Sequence, residues 1–397
     1  MWRTEDEHQL RERVSEREKL SISGLYYAFV TGEREKAMQT YELWSQTFPR
    51  EYLPHGGLAH LYSTYLGQHE KAAVEALECL HLNPGNGVCQ GNLITYYAAL
   101  NRLDEAKAIY QQAMTHKLER PQLHITRYRV AFLEGDAAEM QRQAAWAAGK
   151  PGAEDEMLSA QSDTEAFSGR LAGARELSQR AMESARRNDQ KETAATWKMN
   201  AAAREAEFGN TARARAQAAS ALSLASTQDV QTLGAVTLAR SGDAARAETL
   251  ADELARHFPL DTMVNRYWIP TIRAAIEINR GNPARAVDLL QTVAPYDLAR
   301  ARPRFFYPDY VRGQAYLLSR RGSEAAAEFQ KIIDHRGVVW NQPIGAIAYL
   351  GLARAYALQD DTPKARSAYQ FFLTLWKDAD PDIPILKQAK AEYAKLQ

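Results

Sequence analysis

A glycine, or an asparagine or aspartate in its place, is followed five residues later by alanine again and again along this chain. The pairs are Gly32 with Ala37, Gly67 with Ala72, Asn101 with Ala106, Gly169 with Ala174, Gly209 with Ala214, Gly242 with Ala247, Gly281 with Ala286, Gly322 with Ala327 and Asp360 with Ala365; Gly135 with Met140 is a variant. Successive sites are separated by 35, 34, 34, 34, 40, 33, 39, 41 and 38 residues. A period near 34 with occasional insertions confines the chain to stacked copies of one supersecondary unit, a helical hairpin. Glycine supplies the left-handed backbone of the turn, and the small residue lets the second helix approach the first. A larger side chain follows one helical turn later, as at Tyr41, Tyr110, Leu290 and Tyr369. Prolines such as Pro49, Pro84 and Pro259 end the units, since they cannot continue a helix.

Composition agrees. Helix formers dominate the 397 residues, and strand formers are sparse. Lys and Arg together number 49, as do Asp and Glu, so no net field draws the molecule to nucleic acid or an anionic membrane. No apolar run is long enough to span a bilayer, so no membrane insertion of this chain is expected. The tyrosines of NLITYYAALNRLDEAKAIYQQA, residues 92–113, fall on the core face and read as packing, not as an aromatic pocket.

Turns and periodicity predict ten hairpins over residues 16–380 and an amphipathic helix over 381–397 that caps the last open face through Ile385, Leu386, Ala389 and Tyr393. Asn282-Pro283 and Thr362-Pro363 read as caps with proline at the first helical position. Thr4-x-x-Glu7 and Ser15-x-x-Glu18 both fit the capping box. Residues 1–15 then form an orphan helix of an incomplete preceding repeat. Two residues look inserted near Arg320-Arg321.

These landmarks resemble the tetratricopeptide repeat (TPR) family, which implies an all-α, right-handed α-α superhelix. A narrower resemblance rests on four strings: SEREKLSISGLYYAFVTGEREKAMQTYELWSQTFPRE, YWIPTIRAAIEINRGNPARAVDLLQ, GSEAAAEFQKIIDHRG and LKQAKAEYAKLQ. They are similar to the carboxy-terminal TPR region of bacterial, acidobacterial-type serine/threonine protein kinases. The resemblance implies a sensor or partner-docking region outside the membrane. A free-standing cytoplasmic TPR scaffold or regulator is the alternative.

Chemistry-bearing motifs are missing. There is no Gly-rich phosphate loop, HRD-type loop or DFG site, and Asp334-His335-Arg336 stands at the end of a repeat helix. His55, His60, His69, Cys79, His81 and Cys89 cluster in sequence without a zinc-type spacing. Cys79 falls on a small core site, which favours packing over a disulfide with Cys89. No enzyme activity, cofactor or metal is expected. The TPR resemblance implies a protein or peptide on the concave face, but the Lys/Asn clamp for acidic tails is absent, with Gly57, Leu61, Gly91 and Thr95 at its positions. Counting from the repeat alanines, the groove-facing candidates for partner binding are Arg129, Trp268 and Arg354, with Arg312 and Tyr316 near the local insertion. Segment 299–316 adds Arg302, Arg304, Phe305, Phe306 and Tyr310, as anchors or as a loop folded onto the solenoid.

Overall fold

The computed structural model describes residues 14–303 and 306–396. Among the described residues the regular structure is entirely helical. The first four hairpins pair α1 (Glu16–Leu25) with α2 (Arg34–Thr47), α3 (Tyr52–Thr64) with α4 (His69–Leu82), α5 (Gly87–Ala99) with α6 (Leu103–Thr115), and α7 (Pro121–Glu134) with α8 (Ala137–Ala147). The next three pair α9 (Glu154–Phe167) with α10 (Leu171–Arg187), α11 (Lys191–Glu207) with α12 (Thr211–Leu224), and α13 (Gln228–Arg240) with α14 (Ala244–His257). Then come α15 (Ile269–Asn279) with α16 (Pro283–Gln291) and α17 (Tyr307–Leu318) with α18 (Gly322–Asp334). A short α19 (Arg336–Val339) precedes α20 (Pro343–Leu358) with α21 (Thr362–Leu375), and α22 (Pro384–Ala394) closes the array. Two stretches widen into π-helix, Tyr26–Thr31 after α1 and Val264–Trp268 before α15.

The repeat alanines do what their size suggests. Ala37, Ala72, Ala106, Ala214, Ala247, Ala286 and Ala365 have no exposed surface, and a larger side chain there would overpack the hairpin by about 1–3 kcal/mol. Most turns adopt the expected left-handed backbone, from Gly32 at φ +73° to Asp360 at φ +56°. The ninth hairpin differs from expectation. Its left-handed residue is Arg320 (φ +58°) and its zero-exposure alanine is Ala325, whereas Ala327 is exposed. Gly322 is instead a close-packing residue: a Cβ there would come within 2.8 Å of the Ala355 carbonyl oxygen. The apparent two-residue insertion is this misplaced landmark.

Ser15 caps α1 in a complete capping box with Glu18, and Leu386 and Ala389 of α22 are buried against the array. Thr4 and the expected orphan helix, up to residue 13, lie outside the described residues. At α21 the cap is Asp361, which accepts the Lys364 N–H at 3.2 Å, so Thr362 is the first helical residue. Cys79 and Cys89 form a disulfide that ties the end of α4 to the start of α5, contrary to the sequence expectation. Both are buried, so burial at a core site and pairing are compatible here.

The winding is tight enough for successive turns of the superhelix to touch. Thr262 donates its N–H to the Gly32 carbonyl at 3.0 Å, and Arg300 donates its N–H to the Ser63 carbonyl at 3.1 Å. His69 Nε2–H donates to the Leu298 carbonyl at 3.1 Å, so its Nδ1 accepts from the Ser63 hydroxyl at 3.3 Å. Asn101 Nδ2 reaches the Asp334 carbonyl at 3.1 Å, and a Cβ on Gly337 would lie only 1.6 Å from the Ala98 carbonyl oxygen. Thus the turn of each of the first three hairpins docks on the loop that follows the hairpin six places on. After α19 the pairing slips by one hairpin: Asp380 N–H meets the Gly169 carbonyl at 3.1 Å and Trp376 Nε1–H meets the Phe167 carbonyl at 3.0 Å.

Candidate functional site: a cavity at the superhelical seam

Where the first hairpin meets the loops around the eighth, the seam holds an open cavity of about 250 Å³. Phe29, Val30, Arg34 and His60 come from one turn of the superhelix; Gln228, Asp229, Asp261, Trp268, Arg300 and Arg302 come from the next. Both π-helical stretches line it, and they place Phe29 and Trp268 on its wall.

The polar groups are held from several sides. Arg34 Nη1 donates to the Ala28 carbonyl at 2.6 Å. Asp261 accepts the Val264 N–H at 2.9 Å and the Gln228 amide at 3.2 Å, while Arg302 Nε donates to Asp229 at 3.2 Å. Trp268 Nε1–H donates to the Arg302 carbonyl at 2.6 Å. Burial lowers the pKa of the Arg34 guanidinium. Burial, with Arg129 adding repulsion, takes Arg300 down to about 9. Burial and the two neighbouring guanidiniums of Arg34 and Arg300 push His60 down to about 4, so this imidazole is neutral at pH 7.

The five residues expected on the groove end in different surroundings. Trp268 is 2% exposed and fills the seam rather than standing free. Arg129 lies over the Trp340 ring at 5.8 Å, and Arg300 approaches the same ring at 5.4 Å. Trp268 thus touches segment 300–302 directly, and Arg129 neighbours it through the ring it shares with Arg300. Arg354 makes a two-pronged pair with Glu392 of α22 at 2.9 and 3.0 Å. Tyr316 packs under Arg321 at 4.7 Å. With Ala325 as landmark, the position equivalent to Arg129 and Arg354 is Gln314, which receives a hydrogen bond from Arg240.

Arg312 is a core residue and not a groove residue. It is 4% exposed and binds Asp297, Asp309 and Glu328, whose oxygens Lys331 shares. These three carboxylates are close enough together to hold a metal ion, yet two side-chain cations of the chain occupy them. Burial and the adjacent Asp297 raise Asp309 to about 7. Within segment 299–316, Ala299, Ala301, Phe306 and Tyr310 are buried, so the loop is folded into the coil; Arg304 and Phe305 lie outside the described residues. The histidine–cysteine cluster disperses as well: His55 pairs with Glu75 at 2.7 Å, and His69 belongs to the seam.

Sequence reasoning missed Arg34 and Arg300, and it weighed His60 only as a metal ligand. Arg34 and His60 sit in hairpins one and two, Arg300 lies more than two hundred residues further on in the loop after hairpin eight, and no local pattern joins the three.

No protein-family model matches the chain, and neither does any curated protein. Among solved structures, yeast Tom70 aligns over 96% of this chain and 95% of its own, at 12% identity and a TM-score of 0.39. A monomeric IFIT1 mutant with Gppp-AAAA aligns over 96% and 83%, at 16% identity and 0.40. The APC/C hetero-tetramer Cut9–Hcn1 aligns over 98% and 91%, at 12% identity and 0.36. Values this low bear on neither the winding nor the function. The period, the stacked hairpins and the fully buried alanines between their helices make this chain, in fold, an all-α superhelix of helical hairpins.

Proposed function

We propose that the chain is a non-catalytic module that binds a protein or peptide, the sensor or partner-docking region of a bacterial serine/threonine kinase, working outside the cytoplasm. The observation that carries the compartment is the Cys79–Cys89 disulfide. Cytosolic reductants keep such thiols reduced, whereas extracytoplasmic spaces let the bond persist. A free-standing cytoplasmic scaffold is the competing reading, and it requires both thiols to be free. The binding part rests on repeat architecture, which offers a long continuous surface to an extended partner. Arg129, Tyr316 and Arg354 are the proposed partner contacts, with Trp268 at the seam.

Two measurements test this. Protein isolated from its own cells, with thiols alkylated at lysis, should carry no label at Cys79 or Cys89 by intact mass; two labels would support the cytoplasmic scaffold instead. A partner identified by cross-linking from position 129 should bind Arg129→Ala about tenfold more weakly. Unchanged affinity would move the contact off the inner face.

A further inference from the structure

We propose that the seam cavity is a binding site for a small organic anion, a carboxylate or phosphate carrying a flat apolar group. The site is independent of any protein partner.

Size sets the class first. At about 250 Å³ the cavity lies just below the roughly 300–1,000 Å³ of sites that take drug-sized ligands, so its volume fits a small molecule. Charge sets the sign. Three guanidiniums, Arg34, Arg300 and Arg302, face two carboxylates, Asp229 and Asp261. Among the described lining residues one positive charge remains in excess. Both carboxylates are engaged, Asp229 by Arg302 and Asp261 by the Val264 N–H and the Gln228 amide. Arg129 stands behind Arg300, and Glu156 lies near both Arg129 and Arg302, so the wider surroundings add no further net charge. A cleft with low-dielectric walls and like charges gathered along it strengthens attraction for an incoming anion.

The apolar requirement comes from the mouth. Phe29 is 60% exposed and Val30 is 48% exposed, which is costly for two neighbouring large apolar side chains. The Phe29 ring lies 5.8 Å from the His60 ring and is tilted 40° to it, and together they form an uncharged aromatic wall beside the guanidiniums. A planar group can stack there while its acidic end reaches Arg34 and Arg300. The local backbone is unusual on both sides, since the two π-helical stretches among the described residues both line this cavity. Widened helix turns of this kind occur often at functional sites.

Titration of the folded full chain with benzoate and with phenyl phosphate, followed by calorimetry, tests the site. Benzylamine and benzyl alcohol serve as controls of the same shape. Saturable one-to-one binding of either anion is expected, with at least tenfold weaker binding of both controls. The stronger of the two anions distinguishes a carboxylate ligand from a phosphate ligand. Phe29→Ala and Arg302→Gln alter exposed side chains and should leave the thermal transition in place while weakening the anion at least fivefold. Arg300→Gln should abolish binding, with circular dichroism checking its fold. Equal binding of anions and controls, no binding of either anion, or unchanged affinity in Phe29→Ala and Arg302→Gln would each overturn the assignment.

Discussion

The two halves of this solenoid are held together differently. From hairpin five to α22 a single continuous hydrophobic core runs through the array, with Phe208, Trp268, Phe329, Phe372 and Trp376 among its buried members. Hairpins one to four are instead assembled around three smaller clusters, centred on Trp44, on Leu93 with Ile94, and on Tyr128 with Met157. Eight of the eleven exposed large hydrophobic side chains among the described residues lie before residue 90. The amino-terminal half thus buries less of its apolar surface within itself and leans on two other devices, the disulfide and the seam. Tyr65 and Ala99 show the dependence directly, since both join the core of the other half across the seam.

The largest effect that would sharpen this contrast lies in the carboxy-terminal half. Arg312→Met strands Asp297, Asp309 and Glu328 with Lys331 alone, and removing one partner from such a buried cluster should cost about 3–5 kcal/mol. Urea unfolding should show this half shifting as one block. A loss confined to hairpin nine would break the picture of one core.

Gly67→Ala attacks the seam. Its Cβ would come within 2.3 Å of the Leu298 carbonyl carbon, at a backbone φ of +64°. Left-handed strain of about 1–2 kcal/mol and overpacking of about 1–3 kcal/mol should together destabilise the protein by about 2–5 kcal/mol. Hydrogen exchange should show protection lost first in α3–α6. Loss spread evenly over both halves would contradict the division. Replacing both cysteines by alanine should act in the same hairpins, because opening a cross-link over so short a loop removes about 3 kcal/mol of chain-entropy stabilisation.

The pH dependence follows from His69. Burial, reinforced by Arg300, holds its pKa down to about 3, below the ordinary value of 6.5. Between those values the unfolded chain takes up a proton that the folded chain refuses, so the contribution to stability falls as pH drops. At pH 5 the wild type should have lost about 2 kcal/mol relative to pH 7 that His69→Gln does not lose. Parallel melting curves for the two proteins would remove His69 from the seam. Gly135→Ala is the smallest test. Its φ is +74° but nothing lies within 4 Å of its Cβ, so only backbone strain of about 1–2 kcal/mol is expected. A cost equal to that of Gly67→Ala would mean that the seam contributes nothing.

The hairpins were legible because their determinants are local. A turn residue, a small residue five positions later and a bulky one beyond it specify each unit, and Tyr96 and Tyr97 are buried as that pattern requires. The one landmark error has the same origin, since Arg320 took the left-handed position that a nearby glycine seemed to claim. The seam was not legible. It is written in carbonyl and amide groups, such as those of Gly32, Ser63 and Leu298, which leave no side-chain pattern and meet partners from distant hairpins. Arg312 escaped for a related reason: an arginine surrounded by Asp297, Asp309 and Glu328 looks like a surface cation until those residues are brought together.

A repeat array whose units touch only their neighbours can gain or lose a unit with little consequence elsewhere. This one counts its own units. Because the turns of hairpins one to three dock on loops six hairpins ahead, deleting one hairpin between them would bring the wrong loop opposite Gly32, Gly67 and Asn101 at once. The number of repeats is thereby under structural selection, as the circumference is in a closed ring, and it would be tuned in whole turns of the coil.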